Sequence, residues 1–341
     1  MKPKITISTL TDGGQSALAI AAAIAAFVDG AGRTLDLAQY DFDLGPETAA
    51  VVGDAIRRAA ARGVRIRLAY NVDHVKPIPV PPPPSPDETL IRSLPVEAIP
   101  VAGAPHLMHH KYVIRDGTSV WTGSTNWTDD AWTRQENVIA VVDSEAIARS
   151  YTRDFEQLAA FGTAERTGTV EPVWSGGVRA WFLPAHGEDL SHRIGRAIAH
   201  ARRRVRVCSP VLTAPQVLGA LAAVAAGERV DVAGCFDQTQ MDDVMRQWRL
   251  SNGAWKVPLL LRVARVFSAK RSTPYGAGDV HDFMHAKLTI ADDTVFTGSF
   301  NLSRTGERNA ENVLEIEDPA LADQLSDYVD AVRGRYAAFA T

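Results

Sequence analysis

Two stretches of the chain carry the same polar residues in the same order, at spacings that differ by one residue at a single interval. The first reads His109, Lys111, Asp116, Gly123, Ser124, Asn126, Glu136 and Asn137. The second reads His285, Lys287, Asp292, Gly298, Ser299, Asn301, Glu311 and Asn312. In both, the aspartate follows the lysine by five residues and the glutamate follows the asparagine by ten. Core packing repeats apolar periodicity, not a set of histidine, lysine, asparagine and glutamate. A strand places residues two apart on one face, so His109 projects with Lys111 and His285 with Lys287. A histidine beside a lysine, with serine and asparagine donors, makes a pocket for a phosphate oxyanion with one titratable nitrogen. Glu136 can orient the imidazole of its own copy by accepting from the second ring N–H, and Glu311 stands at the equivalent place.

Each copy is therefore half of a site. With the two face to face, one imidazole attacks phosphorus while the other protonates the leaving alcohol. Lys111, Lys287, Asn126 and Asn301, with Ser124 and Ser299, stabilise the charge on the non-bridging oxygens. The scheme needs no metal or other cofactor. Beyond His109-His110, which face opposite ways in a strand, the sequence shows no metal-ligand spacing. His110 is read as a packing or solvent residue. Asp116 and Asp292 fall at hairpin turns and are read as structural, holding the turn through backbone hydrogen bonds. Trp121 and Phe296 occupy equivalent positions and are read as core. The residues alone do not say which histidine attacks.

The elements that must hold these residues also repeat. A strand over Lys4–Ile7, an Ala/Ile helix over Ala17–Val28 and a strand over Thr34–Ala38 open the first half. A helix over Ala49–Arg62, stopped by Gly63, and a strand over Val64–Tyr70 follow. Their partners are strand Val178–Phe182, helix Leu190–Ala201, strand Val205–Cys208, helix Val217–Ala226 and strand Arg229–Phe236. This alternation predicts an α/β fold with a largely parallel sheet core. His109 and His285 stand 176 positions apart, a tandem duplication rather than a solenoid. The two halves are expected over 1–165 and 166–341, joined near Thr163–Gly177 where Gly, Thr and Pro accumulate.

Two corresponding irregular segments differ most between the halves. Lys76–Pro86 holds seven prolines in eleven residues and is expected to be an extended surface loop. Gln238–His281 reads as irregular. It carries Arg246, Arg249, Lys256, Arg262, Arg265, Lys270 and Arg271, which is either a solvated face or an anion-binding rim.

The bulk numbers limit the partners. A chain of 341 residues with 46% hydrophobic residues can bury two medium domains. A net charge of -4 argues against coating DNA through bulk positive charge, though not against a local basic groove. Cys208 and Cys235 fall in strand-like runs and are expected to be buried free thiols. The apolar run Ala17–Val28 is short for a membrane span and has an internal counterpart at Leu190–Ala199, so it is read as a buried helix. The expectation is a cytoplasmic monomer without an export signal or stable membrane insertion.

These motifs resemble the signature of the phospholipase D superfamily, H-x-K-x4-D-x6-G-S-x-N. The first copy, HHKYVIRDGTSVWTGSTN, fits throughout. The second, HAKLTIADDTVFTGSFN, has five residues instead of six between Asp292 and Gly298. The resemblance covers both halves, because the strand and helix lead-in also fits that family. It implies two tandem α/β/α sandwich halves with mixed, largely parallel sheets, related by a pseudo-twofold axis, with the active site between them. It implies metal-free catalysis through a covalent phosphohistidine, released to water or to an alcohol. In two-motif relatives the first histidine is usually the nucleophile, which carries over to His109, with His285 as the acid. Members cut phospholipids, transfer phosphatidyl groups or cut nucleic acids. A phospholipid or other small phosphodiester is the first reading here. The flanks MHHK, TGSTNWT and QENVI resemble the nuclease-like branch, so a nucleic-acid phosphodiesterase is the alternative. A non-catalytic phosphate-binding scaffold is the lesser one, since no histidine or lysine of the motif is lost.

Overall fold

The computed structural model describes residues 2–74, 83–227, 229–276 and 278–339. Residues 76–82 of the proline-rich segment lie outside them. In chain order the first half gives β1 (Lys4–Leu10), α1 (Ala17–Asp29), β2 (Thr34–Gln39), β3 (Phe42–Asp43), α2 (Pro46–Ala61), β4 (Arg65–His74), α3 (Glu88–Ser93) and β5 (Glu97–Gly103). It continues with β6 (Lys111–Arg115), β7 (Ser119–Gly123), β8 (Trp127–Thr128), α4 (Asp129–Thr133), β9 (Asn137–Asp143) and α5 (Glu145–Phe161). The second half gives β10 (Val178–Leu183), α6 (Gly187–His200), β11 (Arg204–Ser209), α7 (Pro215–Gly227), β12 (Asp231–Asp237), α8 (Gln238–Arg249), α9 (Val257–Ala264) and β13 (Phe267–Lys270). It closes with β14 (Leu288–Ala291), β15 (Thr294–Gly298), β16 (Glu311–Glu317) and α10 (Pro319–Arg335).

Each half builds one seven-stranded sheet. The order β1-β9-β7-β6-β2-β4-β5 is repeated position for position by β10-β16-β15-β14-β11-β12-β13. The sheets are mixed. Parallel pairing joins β2, β4 and β5, while β6, β7, β9 and β1 add antiparallel strands. Five of the seven strands consequently point the same way, and only β6 and β9 are reversed.

The helices follow from their apolar spacing. α1 starts at Ser16, whose side chain accepts from the Ala19 N–H, and it buries Ile20, Ile24, Phe27 and Val28 on one face. α2 starts with proline in its first turn and buries Val52, Ala55, Ile56 and Ala59. These two cover the outer face of the first sheet. α6, α7, α8 and α9 cover that of the second. Between the sheets, α5 and α10 form a third core with both inner faces, including Tyr151, Phe155, Leu314 and Val329. That shared core joins the halves.

The segment 238–281, read as irregular, holds two helices and a strand. The Asp237 side chain caps α8 by accepting from the Gln240 N–H, and Met241, Val244, Met245 and Trp248 are buried at helical spacing. Its cations divide: Lys270 is buried, whereas Arg246, Arg249, Arg262 and Arg265 are exposed. Cys208 and Cys235 are buried free thiols, paired in register across β11 and β12. Among the described residues, no helix is long and apolar enough to cross a membrane.

Candidate active site

Each motif strand enters its sheet at a histidine whose backbone is tied from two sides. Within its own half, the Met108 N–H donates to Asn71 Oδ1 at 2.9 Å and the Met284 N–H to Asp237 Oδ2 at 3.0 Å. From the opposite half, the Ala310 carbonyl accepts the His109 N–H at 2.8 Å and the Glu136 carbonyl accepts the His285 N–H at 3.2 Å. Neither histidine is positioned by its own half alone.

The hairpins after the lysines are anchored in parallel fashion. Asp116 and Asp292 both adopt positive φ, 55° and 51°. Asp116 accepts three successive backbone N–H groups, from Gly32, Arg33 and Thr34, at 2.7–2.9 Å. Asp292 accepts those of Arg202, Arg203 and Arg204 at 2.9–3.2 Å. Burial alone would raise these carboxyls; the three donors outweigh it and hold both below the usual range. The aspartates thus pin each hairpin to the start of β2 or β11. The one-residue difference between the copies is absorbed in the turn, while this bonding is unchanged.

The motif glycines have a steric reason. A Cβ on Gly123 would sit 2.1 Å from the Val138 carbonyl oxygen, and one on Gly298 would sit 2.1 Å from that of Asn312. That close approach lets the Ser124 and Ser299 N–H groups bond the same carbonyls at 2.9 Å. It also settles where the serine hydroxyls go. Ser124 Oγ donates to Asn137 Oδ1 at 2.7 Å and accepts the Val138 N–H at 2.9 Å. Ser299 Oγ accepts the Asn312 N–H at 3.0 Å. Expected as phosphate donors, both are instead fully buried and engaged with the neighbouring strand.

His109 and Asn126 from the first half and His285 and Asn301 from the second line one cavity of about 280 Å³. Lys111 and Lys287 lie buried beside it. Lys111 Nζ donates to the His109 carbonyl at 2.7 Å and Lys287 Nζ to the His285 carbonyl at 2.6 Å. The family model for the cardiolipin synthase, phospholipase D-like domain matches residues 24–159 and 194–333. The chain belongs to the phospholipase D-like family.

Curated relatives of the chain agree with that membership. It is 30% identical to the human mitochondrial cardiolipin hydrolase over 126 residues, 37% of this chain and 45% of the relative. It is 43% identical to the Xenopus laevis protein of that name over 51 residues, 15% of this chain and 24% of the relative. The matches thus span a quarter to a half of these relatives. The fold is that of phosphatidylserine synthase from Haemophilus influenzae Rd KW20, at TM-score 0.63 and 13% identity, covering 96% of this chain and 86% of that one. Polyphosphate kinase from Porphyromonas gingivalis shares it at TM-score 0.57 and 12% identity, over 96% of this chain and 50% of that one.

Within this phospholipase D-like site the two histidines are not equivalent. His109 Nδ1 lies 2.8 Å from Glu311, the glutamate of the other half. Its own-half Glu136, expected as its partner, points elsewhere. Glu136 accepts from Lys270 Nζ at 2.9 Å, from the Asp12 N–H at 3.3 Å and from the Tyr336 hydroxyl. Lys270 outcompetes an imidazole because a buried carboxylate gains more from a full positive charge. His285 Nδ1 is left with Asn137 Oδ1 at 3.1 Å. Carboxylate and amide oxygens both only accept, so both rings carry their proton on Nδ1 and keep Nε2 for chemistry.

Burial, then the charges of Lys111 and Lys287, hold His109 well below the ordinary imidazole range. Burial and the same two lysines do so for His285. Lys111 is itself pushed down to about 7 by burial, and Glu311 up to about 7 by burial against the pull of Lys111. Crowded cations with lowered affinity for protons are what an anion would relieve.

Other residues of the site have weaker sequence signals. Tyr40 packs edge-on against His109 with ring centres 4.6 Å apart, and Lys111 Nζ lies 4.7 Å from its centre. Phe283 packs against His285 at 5.5 Å. His110 is fully buried, with Nε2 3.2 Å from Asp154 and Nδ1 3.1 Å from Asn312 Nδ2. It sits in the core between the sheets, away from the cavity.

Proposed function

We propose that this protein is a phospholipase D-type phosphodiesterase working through a phosphohistidine on His109, with phospholipid as substrate. The single observation that carries the reading is that the two histidines, one from each half, line one cavity with unlike Nδ1 partners. His109 Nε2 attacks phosphorus, and the P–O bond to the leaving alcohol breaks as His285 gives that oxygen a proton. His285 takes up this second proton on Nε2 when the bound anionic diester offsets the charges of Lys111 and Lys287. Water or an alcohol, deprotonated by His285, then attacks phosphorus and releases His109. The attacking ring acquires positive charge, which the Glu311 carboxylate balances. The acid must part with its proton, and a neutral amide at its back makes His285 the better donor. Lys111 and Lys287 supply positive charge beside the oxyanion. The nucleophile belongs to the protein, so the scheme needs no metal-activated water.

Phospholipid is favoured by the cavity wall, where Val211, Val244, Trp248 and Phe283 present apolar surface. The names of the family model and the curated relatives point the same way. The basic segment, which would favour nucleic acid, supplies less free charge than its composition suggests, because Lys270 is committed to Glu136 and Asp12. The test is turnover of bis(p-nitrophenyl) phosphate in EDTA, with phospholipid vesicles, DNA and RNA as parallel substrates. Wild type is expected to turn over the diester and release headgroup from vesicles. His109→Ala and His285→Ala each lose about a thousandfold or more. Unchanged turnover in both variants, or a strict metal requirement, contradicts the mechanism; cleavage of nucleic acid alone contradicts the substrate.

A further inference from the structure

The cavity runs along α8. Gln240, Val244, Gln247 and Trp248 line it and share one helix face, a run of about 12 Å at 1.5 Å per residue. Its inner end is fixed at the histidines, since Asp237, which caps α8, also holds the Met284 N–H beside His285. Its outer end lies at Trp248 and Lys256, where α8 turns into α9. Lys256 Nζ stands between two indoles, 5.2 Å from the Trp248 ring and 5.7 Å from the Trp255 ring.

That turn exposes what a soluble surface ordinarily hides. Leu250 is 85% exposed and Trp255 55%, the first of these the most exposed large hydrophobic among the described residues. Two arginines flank them. Arg246 and Arg249 lie on the outward face of α8 and Leu250 caps its C-terminus, and all three are exposed. Arg246 leans on Asp243 at 2.8 Å, a surface pair that water screens. In a chain of net charge -4, apolar residues ringed by cations at a cavity mouth form a local exception.

We propose that the α8–α9 turn docks on an anionic phospholipid surface and sets the mouth of the cavity against it. Leu250 and Trp255 enter the interface, where an amphipathic indole is at home. Arg246 and Arg249 pair with anionic headgroups. A lipid then slides along the apolar wall of α8 with its phosphodiester leading toward the histidines. The inference rests on the phospholipid reading above and adds how the substrate is reached.

The experiment is co-sedimentation of the full chain with vesicles of phosphatidylcholine alone or with about one third phosphatidylglycerol. Wild type, Leu250→Glu with Trp255→Glu, and Arg246→Glu with Arg249→Glu are compared, with thermal melts to show that each is folded. Wild type is expected to bind the anionic vesicles, less so in high salt, and each double variant to bind about tenfold less or weaker. Wild type that stays in solution, binds neutral vesicles equally well, or binds only nucleic acid overturns the proposal. So do folded double variants that bind like wild type. Turnover of bis(p-nitrophenyl) phosphate by wild type separates the two readings: turnover without vesicle binding defeats only the docking, and vesicle binding without turnover defeats only the chemistry.

Discussion

Glu311 reaches across the boundary between the halves to His109 at 2.8 Å, while its counterpart Glu136 is held by Lys270 at 2.9 Å. A duplicated sequence has thus produced an asymmetric site, and the asymmetry comes from residues outside the repeat. It separates the two glutamates by experiment. Glu311→Gln is expected to lower kcat by about a hundredfold or more, because the imidazole loses its balancing charge and its fixed tautomer. Glu136→Gln is expected to act mainly on stability, by about 1–3 kcal/mol, because it strips a buried ammonium of one of its two carboxylates. Steady-state kinetics and chemical denaturation of both variants check this; equal kcat losses would contradict the assignment.

The pH dependence of kcat/KM should be a narrow bell near neutrality. Lys111 loses its charge as pH rises through about 7, and Glu311 is neutralised as pH falls through about 7. Because kcat/KM reports the free enzyme, both groups contribute to its limbs. Lys111→Arg should move the alkaline limb upward in whatever activity remains, since a guanidinium stays charged. A profile flat from pH 6 to pH 9, measured with a diester that does not itself titrate there, would be inconsistent with this pair.

Lys111 is kept for chemistry at a cost in stability. Its folded value near 7 lies below the unfolded value near 10.5. Between those two values the unfolded chain holds more protons, so this group makes stability rise with pH across that window and fall toward pH 7. Lys111→Met should abolish turnover and stabilise the fold by about 1–3 kcal/mol at pH 7, with a gain that shrinks toward pH 10. Melting temperatures across that range decide it, and a less stable variant at pH 7 would refute the burial argument.

Gly298→Ala should destabilise by about 2–3 kcal/mol without any change of charge, because its methyl group meets the Asn312 carbonyl. Denaturant unfolding measures it. A neutral result would mean that β15 and β16 can separate freely there.

The duplicated parts of this molecule were legible because repetition marks them twice. Helices α1, α2, α6 and α7 follow apolar spacing, and the two seven-stranded sheets follow from the alternation of strand and helix. What was not legible is where the copies differ or meet. The pairing of His109 with Glu311 requires knowing that the halves interlock, and spacing within one copy suggested Glu136. Lys270 and Tyr336, which claim Glu136, have no repeated context and give no signal. Asn137 was visible beside Glu136 in both copies, yet only the geometry gives it His285. Helix α8 could have been found: Met241, Val244, Met245 and Trp248 show its period, which the charges of that segment obscured. The serines misled for a physical reason, since a small polar residue after a tight glycine serves the backbone as readily as a ligand.

The most direct test of the central claim is to trap the covalent intermediate. Enzyme mixed with a slow diester, quenched in alkali and analysed by peptide mass spectrometry should carry the phosphoryl adduct on the peptide containing His109. His285→Ala should retain some adduct when the leaving group is p-nitrophenol, which departs with little help from an acid, and His109→Ala should show none. An adduct on the His285 peptide, or full turnover with His109 removed, would contradict the account.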